Sequence, residues 1–497
     1  MYQDTFEDYE TAKITGEIII KESLENIADN INTSDIEGQP LLIMNTLSWE
    51  RKAPVRISLN ETKFNNPCVF NENGEKIPAQ VIDGENGKEL LFVTSKISSL
   101  GYSVYRLSEA QPAGSRLSEI KTDKYNLENK YFKIEIDEKT GYLKKVYDKI
   151  NKKNILNSPK GNMLQLLEDI PAECDSWEIK YTGKIWELGT VDDIKIVEKG
   201  PVRTVVRIWK SFSGQGRKKY LPPRVFEYNL PGIDFPSSFF VQDIILYNDL
   251  PRIDFQLKVD WWEDHLLLKT VFPVNVKNSK ASYEIPGASI ERPTTFRNSW
   301  EKARYEVPVL KWADLSDSGY GVSLINDSKY GMDIHENIIR LTLLKSSATF
   351  NEPLSTPDPV SDRGKHIINY SILPHKKTWK EAETQESAFE FNYPLFVHFM
   401  PKHKGKLPKK FSLLNISPHL IVTSFKKADV PGYWILRLYE TCGKNTNGAI
   451  KFSCPVEKIH ETSMLEDIDK KLDTNMNRIR LKVEKNKIKT LKLKIKN

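Results

Sequence analysis

The chain has 497 residues, 39% of them hydrophobic and 10% aromatic, which is enough apolar material to bury real cores and excludes an intrinsically disordered chain. At about one domain per 150 residues, that length predicts three or so domains. The formal charge of +6, from 73 basic and 67 acidic residues, comes without a nucleic-acid-reading motif, and no run of about 18 apolar residues occurs, so neither nucleic acid nor a membrane is an expected partner.

Residues from about Asp4 to Asn30 predict one long helix, because Ile20, Leu24, Ile27 and Ile31 recur at spacings of four, three and four. Asp4 with Glu7 three residues later reads as its capping pair. No partner helix is evident downstream. Residues 1–35 therefore look like the last helix of a bundle whose other members are missing or come from another chain.

From Leu41 the pattern turns to strands, beginning with LLIMNTLSWER, APVRISL, KIPAQVI and ELLFVTS, each broken by Asn, Gly or Pro. Residues 36–110 read as a small β-sandwich. A large β domain follows over 120–385, with a hairpin turn at Lys139-Thr-Gly141 and an irregular excursion at 211–237. The stretch 284–331 is its densest part, where turn signals at Pro286-Gly287, Arg297-Asn298, Asp317-Ser318-Gly319 and Asn326-Asp327-Ser328 separate short alternating runs. Residues 379–389 have helical composition. The block 390–497 reads as a last β-sandwich, whose closing lysines alternate with Val, Ile and Leu as on a solvated strand face guarding an edge.

Four cysteines, Cys68, Cys174, Cys442 and Cys454, show no CxxC spacing, which argues against a disulfide framework and a thiolate zinc site. The N-terminus lacks the basic-then-apolar order of a signal peptide, so a cytoplasmic location is expected. Two constellations could carry chemistry. Asp260-Trp-Trp-Glu-Asp-His265 sets acids beside aromatic rings, as glycoside hydrolysis uses, although the same residues suit ordinary strand positions. Asp333-Ile-His335, Asp362-Arg-Gly-Lys-His366 and His375 offer metal-ligand types, but eight histidines in a chain of this length produce such pairs by chance. There is no GxSxG elbow, no P-loop and no GxGxxG opening a helix.

Taken together, Asn45-Thr-Leu-Ser-Trp-Glu-Arg51, Leu100-Gly-Tyr-Ser-Val-Tyr105, Leu127-Glu-Asn129, Tyr147-Asp-Lys149, Pro251-Arg-Ile-Asp-Phe255, Trp312-Ala-Asp-Leu-Ser316, Lys329-Tyr-Gly331, Pro374-His375 and Arg437-Leu-Tyr-Glu440 resemble, in order, the part of the family 38 glycoside hydrolases, the α-mannosidases, that follows the catalytic barrel. Asp175-Ser-Trp177 stands where the family shows a Trp-Asp-Ala-Trp-Asp run, here partly lost. The resemblance implies a mainly β fold: a large galactose-mutarotase-like antiparallel supersandwich, smaller β-sandwich domains and one helix from a bundle. It also implies that the catalytic residues and the zinc lie in a barrel this chain lacks, so no catalytic or metal residue and no cofactor is assigned here. The expected function is the β half of an α-mannosidase, acting on a mannose-containing carbohydrate with a second polypeptide that bears the barrel. Asp362, Arg363 and His366 are the expected substrate-binding residues. The rival expectation is a standalone carbohydrate-binding or scaffold protein.

Overall fold

A computed structural model describes residues 2–64, 66–109, 121–172, 174–213, 238–347, 362–473, 475 and 477–496. Most of the excursion expected at 211–237 lies outside these residues, as does Ser361. Strands dominate, all in antiparallel sheets, and the chain divides into two compact units, one of Met1–Leu117, Pro286–Ser289 and Tyr393–Asn497, the other of Ser118–Ile285 and Ile290–Asn392.

In the first unit the helix spans Tyr2–Ala28, which puts Asp4 inside its first turn instead of at a cap. Only its C-terminal end is packed: Leu24, Ala28 and the following Ile31 are buried with Leu42, Tyr102, Val104 and Met400. The strand Gln39–Asn45 lies between Gly101–Glu109 and Phe396–Phe399. Its unbroken apolar run has a physical reason, since Leu41 and Ile43 face the sandwich core while Leu42 faces the helix. Asn45 and Arg51 knit the loop that follows. The Asn45 side chain donates to the carbonyls of Trp49 and Ser98 and accepts from Arg51 Nε at 2.8 Å, and Arg51 reaches the Tyr393 carbonyl.

The same unit holds a three-stranded and a five-stranded sheet over 414–495, with Leu436, Leu438, Ile450, Phe452, Leu491 and Leu493 between them. The lysine-rich end forms two strands of different standing. Arg478–Val483 is an edge strand with alternating burial, as expected, whereas Ile488–Ile495 lies inside the five-stranded sheet between Trp434–Glu440 and Val456–Thr462. Glu440 is fully buried and accepts the backbone N–H groups of Cys442, Gly443, Lys444 and Asn486.

The second unit has nine-, six- and five-stranded sheets around one contiguous core. The expected hairpin forms between Phe132–Ile136 and Leu143–Asp148, with Gly141 at φ +66, a conformation glycine adopts at little cost. The turn signals of 284–331 hold with one change. Asp317 accepts from the N–H groups of Gly319 and Tyr320, but Asn298 caps a four-residue helix, Ser299–Lys302, instead of closing a hairpin. The expected helix at 379–389 runs over Thr384–Asn392, because Glu383 sits at φ +52 and breaks the turns before it. Trp312 is buried against Trp379 with ring centroids 4.7 Å apart.

Candidate functional site

The strands Ile253–Trp261 and Gly364–Lys376 pair so that Trp261 stands opposite Gly364. The residues just beyond that pair, Trp262 to Asp264 on one side and Asp362 and Arg363 on the other, therefore meet at one sheet end. Leu266–Pro273 starts there and Ile338–Lys345 ends there, since Leu267 pairs with Lys345.

The turn holding the expected substrate-binding residues is tight: Asp362 lies at φ +50 and Gly364 at φ +110. His366 Nε2 donates to the Asp362 carbonyl at 2.7 Å, which fixes the proton on that nitrogen. Arg363 differs from expectation. Its side chain is only 4% exposed and is ion-paired with Asp264, so it braces the turn while Asp362 stays exposed and His366 half-exposed. Burial pushes the Lys329 ammonium down, against the nearby carboxylates of Asp362 and Asp327.

The acids of Asp260-Trp-Trp-Glu-Asp-His265 are each committed to the frame. Asp260 accepts the Trp262 indole N–H at 2.6 Å, buried Glu263 accepts the Ser238 hydroxyl at 2.8 Å, and Asp264 holds Arg363. Asp175 is fully buried and lies 3.7 Å from Lys345, which also pairs with Asp169 at 2.7 Å. The Asp175-Ser-Trp177 stretch is thus pinned from below, with Trp177 itself 76% exposed.

Sequence reasoning missed a second charged cluster. Lys269 sits in Leu266–Pro273, a strand buried at every position, and pairs with Asp333 at 2.7 Å and Glu306 at 3.0 Å. Arg340 completes the group through Asp333. Burial alone would push the Lys269 ammonium down, but the two carboxylates outweigh it and hold it above the usual lysine range. The signal was available: a lysine inside an LLLKTVF run must find buried anions.

The metal-ligand candidates do not converge. Asp333 serves Lys269 and Arg340, His335 packs on Phe296 at 4.6 Å, and His375 lies in a buried network with Asp314 and Ser323. Among the described residues no group of three His, Cys, Asp or Glu side chains is placed to hold a metal ion. These residues do not fit a zinc ion. No helix among them is long and apolar enough to cross a membrane.

Comparison with known proteins gives the family. Residues 127–359 match the model of the glycosyl hydrolases family 38 C-terminal domain, and residues 419–491 match that of the family 38 C-terminal beta sandwich domain. The chain is 26% identical over 451 residues to alpha-mannosidase 2C1 of Mus musculus, covering 87% of this chain and 38% of that protein. It is 28% identical over 316 residues to the Homo sapiens alpha-mannosidase 2C1, covering 62% and 27%. The chain thus spans about a third of the length of these relatives. An alpha-mannosidase from Enterococcus faecalis V583 has the same fold over 97% of this chain and 59% of its own, with a TM-score of 0.80 at 14% identity. The two family matches together take in well over half the chain, in the family's order, and the chain belongs to glycosyl hydrolases family 38 through the C-terminal portion of that family.

Proposed function

We propose that the chain forms the β portion of an α-mannosidase-like glycoside hydrolase and supports hydrolysis of α-mannosides together with a separate polypeptide carrying a zinc-bearing barrel. The observation that carries this reading is the N-terminal helix. Phe6, Tyr9, Ile14, Ile18 and Ile19 are each between 48% and 68% exposed, while only the last turn is packed. A helix with that much uncovered apolar surface is stable in water only against other helices. The α-mannosidase names of the relatives supply the reaction, and a cytoplasmic location belongs to the same proposal. Within it, Asp362 and His366 offer hydrogen bonds to sugar hydroxyls, and Arg363 acts by holding the turn through Asp264.

Co-expression with a barrel-bearing family 38 polypeptide tests the proposal. The expected outcome is a complex that co-purifies and cleaves an aryl α-mannoside, with neither chain active alone. Hydrolysis by this chain by itself, or no complex, would overturn it. Charged substitutions at Ile14 and Ile18 should abolish co-purification.

A further inference from the structure

A cleft in the second unit has no part in the reading above. It is an open cleft of about 810 Å³ lined by residues 177–180, 303–308 and 330–331, a size within the roughly 300–1,000 Å³ of small-molecule sites. Two of its three aromatic residues are presented instead of buried: Trp177 is 76% exposed and Tyr330 58%.

The walls are held from behind. Tyr305 packs edge-on against Tyr181 with centroids 4.7 Å apart. Glu306 is fixed by buried Lys269 and by the Thr342 hydroxyl. Lys345 donates to the Glu178 carbonyl. A Cβ on Gly331 would fall on the Glu306 carboxylate, so the Tyr330-Gly331 wall approaches closely because position 331 has no side chain. A cleft fixed at three points is formed before any ligand arrives.

The lining charges select the occupant. Glu178 and Glu306 line it together with Lys180 and Arg304, two of each sign. Such a cleft has no net attraction for a polyanion or a polycation. Exposed aromatic faces interspersed with hydrogen-bonding groups match a molecule with apolar ring faces and a rim of hydroxyls. We propose that this cleft binds a neutral hexopyranose oligosaccharide, with Trp177 and Tyr330 against the sugar faces and Glu178, Lys180 and Arg304 hydrogen-bonded to its hydroxyls.

Calorimetric titration of the full chain with mannotriose, maltotriose and cellotriose tests the assignment. At least one should bind saturably, with an affinity that rising ionic strength leaves unchanged, because the ligand is neutral. Trp177→Ala and Tyr330→Ala should each weaken binding about tenfold or more, with far-UV circular dichroism and Tm unaltered. Trp300→Ala, at a residue 82% exposed but outside the lining, should change nothing. Absence of binding by all three sugars, binding indifferent to both cleft substitutions, or an equal loss in the Trp300 variant would overturn the proposal. Failure to form an active complex with a barrel chain would leave this result standing, and the reverse also holds.

Discussion

Lys210 lies on the strand Arg203–Phe212 with 1% of its surface exposed, donating to the carbonyls of Leu188 at 2.7 Å and of Thr140, and sitting 4.7 Å from the Tyr142 ring. Burial pushes its ammonium down to about 7, only partly opposed by Asp192 and Asp137. Between that value and the ordinary lysine pKa the unfolded chain holds a proton that the folded chain does not. Stability therefore rises with pH across this window and is lost as pH falls toward 7. Lys210→Met removes the titration. In urea melts at pH 7 and pH 9.5, the stability of the unsubstituted protein relative to this variant should increase at the higher pH by on the order of 2 kcal/mol. A pH-independent difference would mean that Lys210 keeps its proton in the fold.

Other residues explain why the family could be recognised from short motifs. Asn45 and Arg51, Asp148 with Tyr320 at 3.0 Å, Arg252 with Asp254 at 2.8 Å, and Glu440 are buried polar nodes that hold loops to strands. A buried polar group cannot be exchanged without leaving its partner unsatisfied, so such nodes remain legible in the sequence. Pairings across the chain do not, as between Asp148 and Tyr320, 172 residues apart. Arg363 and Asp264 are 99 residues apart, and composition could mark the Asp362–His366 turn without revealing that its arginine faces inward. Trp177, Tyr305 and Tyr330 are equally scattered, which is why the cleft was invisible until the strands were placed.

At the scale of single elements, the N-terminal helix carries two kinds of apolar residue that periodicity cannot distinguish. Ile20 and Leu24 belong to one predicted stripe, yet Ile20 is 39% exposed and Leu24 only 7%. The difference comes from the sheet beneath: Leu24 lies over the packed end of the helix and Ile20 beyond it. Leu24→Ala should destabilise the first unit by about 2–4 kcal/mol through lost burial and a cavity. Ile18→Gln, at a residue 52% exposed, should change stability by less than about 0.5 kcal/mol. Chemical denaturation measures both. Equal costs at the two positions would mean that the helix is packed along its whole length in the isolated chain.

At the scale of the whole chain, alternation predicted that strands exist and where many turn, but not which distant strands pair. The sequence reads as a small sandwich over 36–110 and another over 390–497. The sheet containing Gln39–Asn45, however, also takes Phe396–Phe399 as the neighbour of that strand and Lys410–Ser412 as a neighbour of Gly101–Glu109. Leu395 and Met400 enter the same cores as Leu41 and Leu42. The 271 residues of the other unit intervene in sequence, a separation whose loop-closure cost must be met before the pairing forms. The first unit therefore cannot be complete until its C-terminal segment is present, whereas the second is nearly continuous. A fragment of residues 118–392 should fold alone and unfold in one cooperative thermal transition. Residues 1–117 alone should leave Leu41, Leu42 and Val104 without their partners and remain protease-sensitive, and joining them to 393–497 through a flexible linker should restore a cooperative melt. Cooperative folding of 1–117 alone, read by circular dichroism and limited proteolysis, would show that the C-terminal strands are dispensable to that sheet.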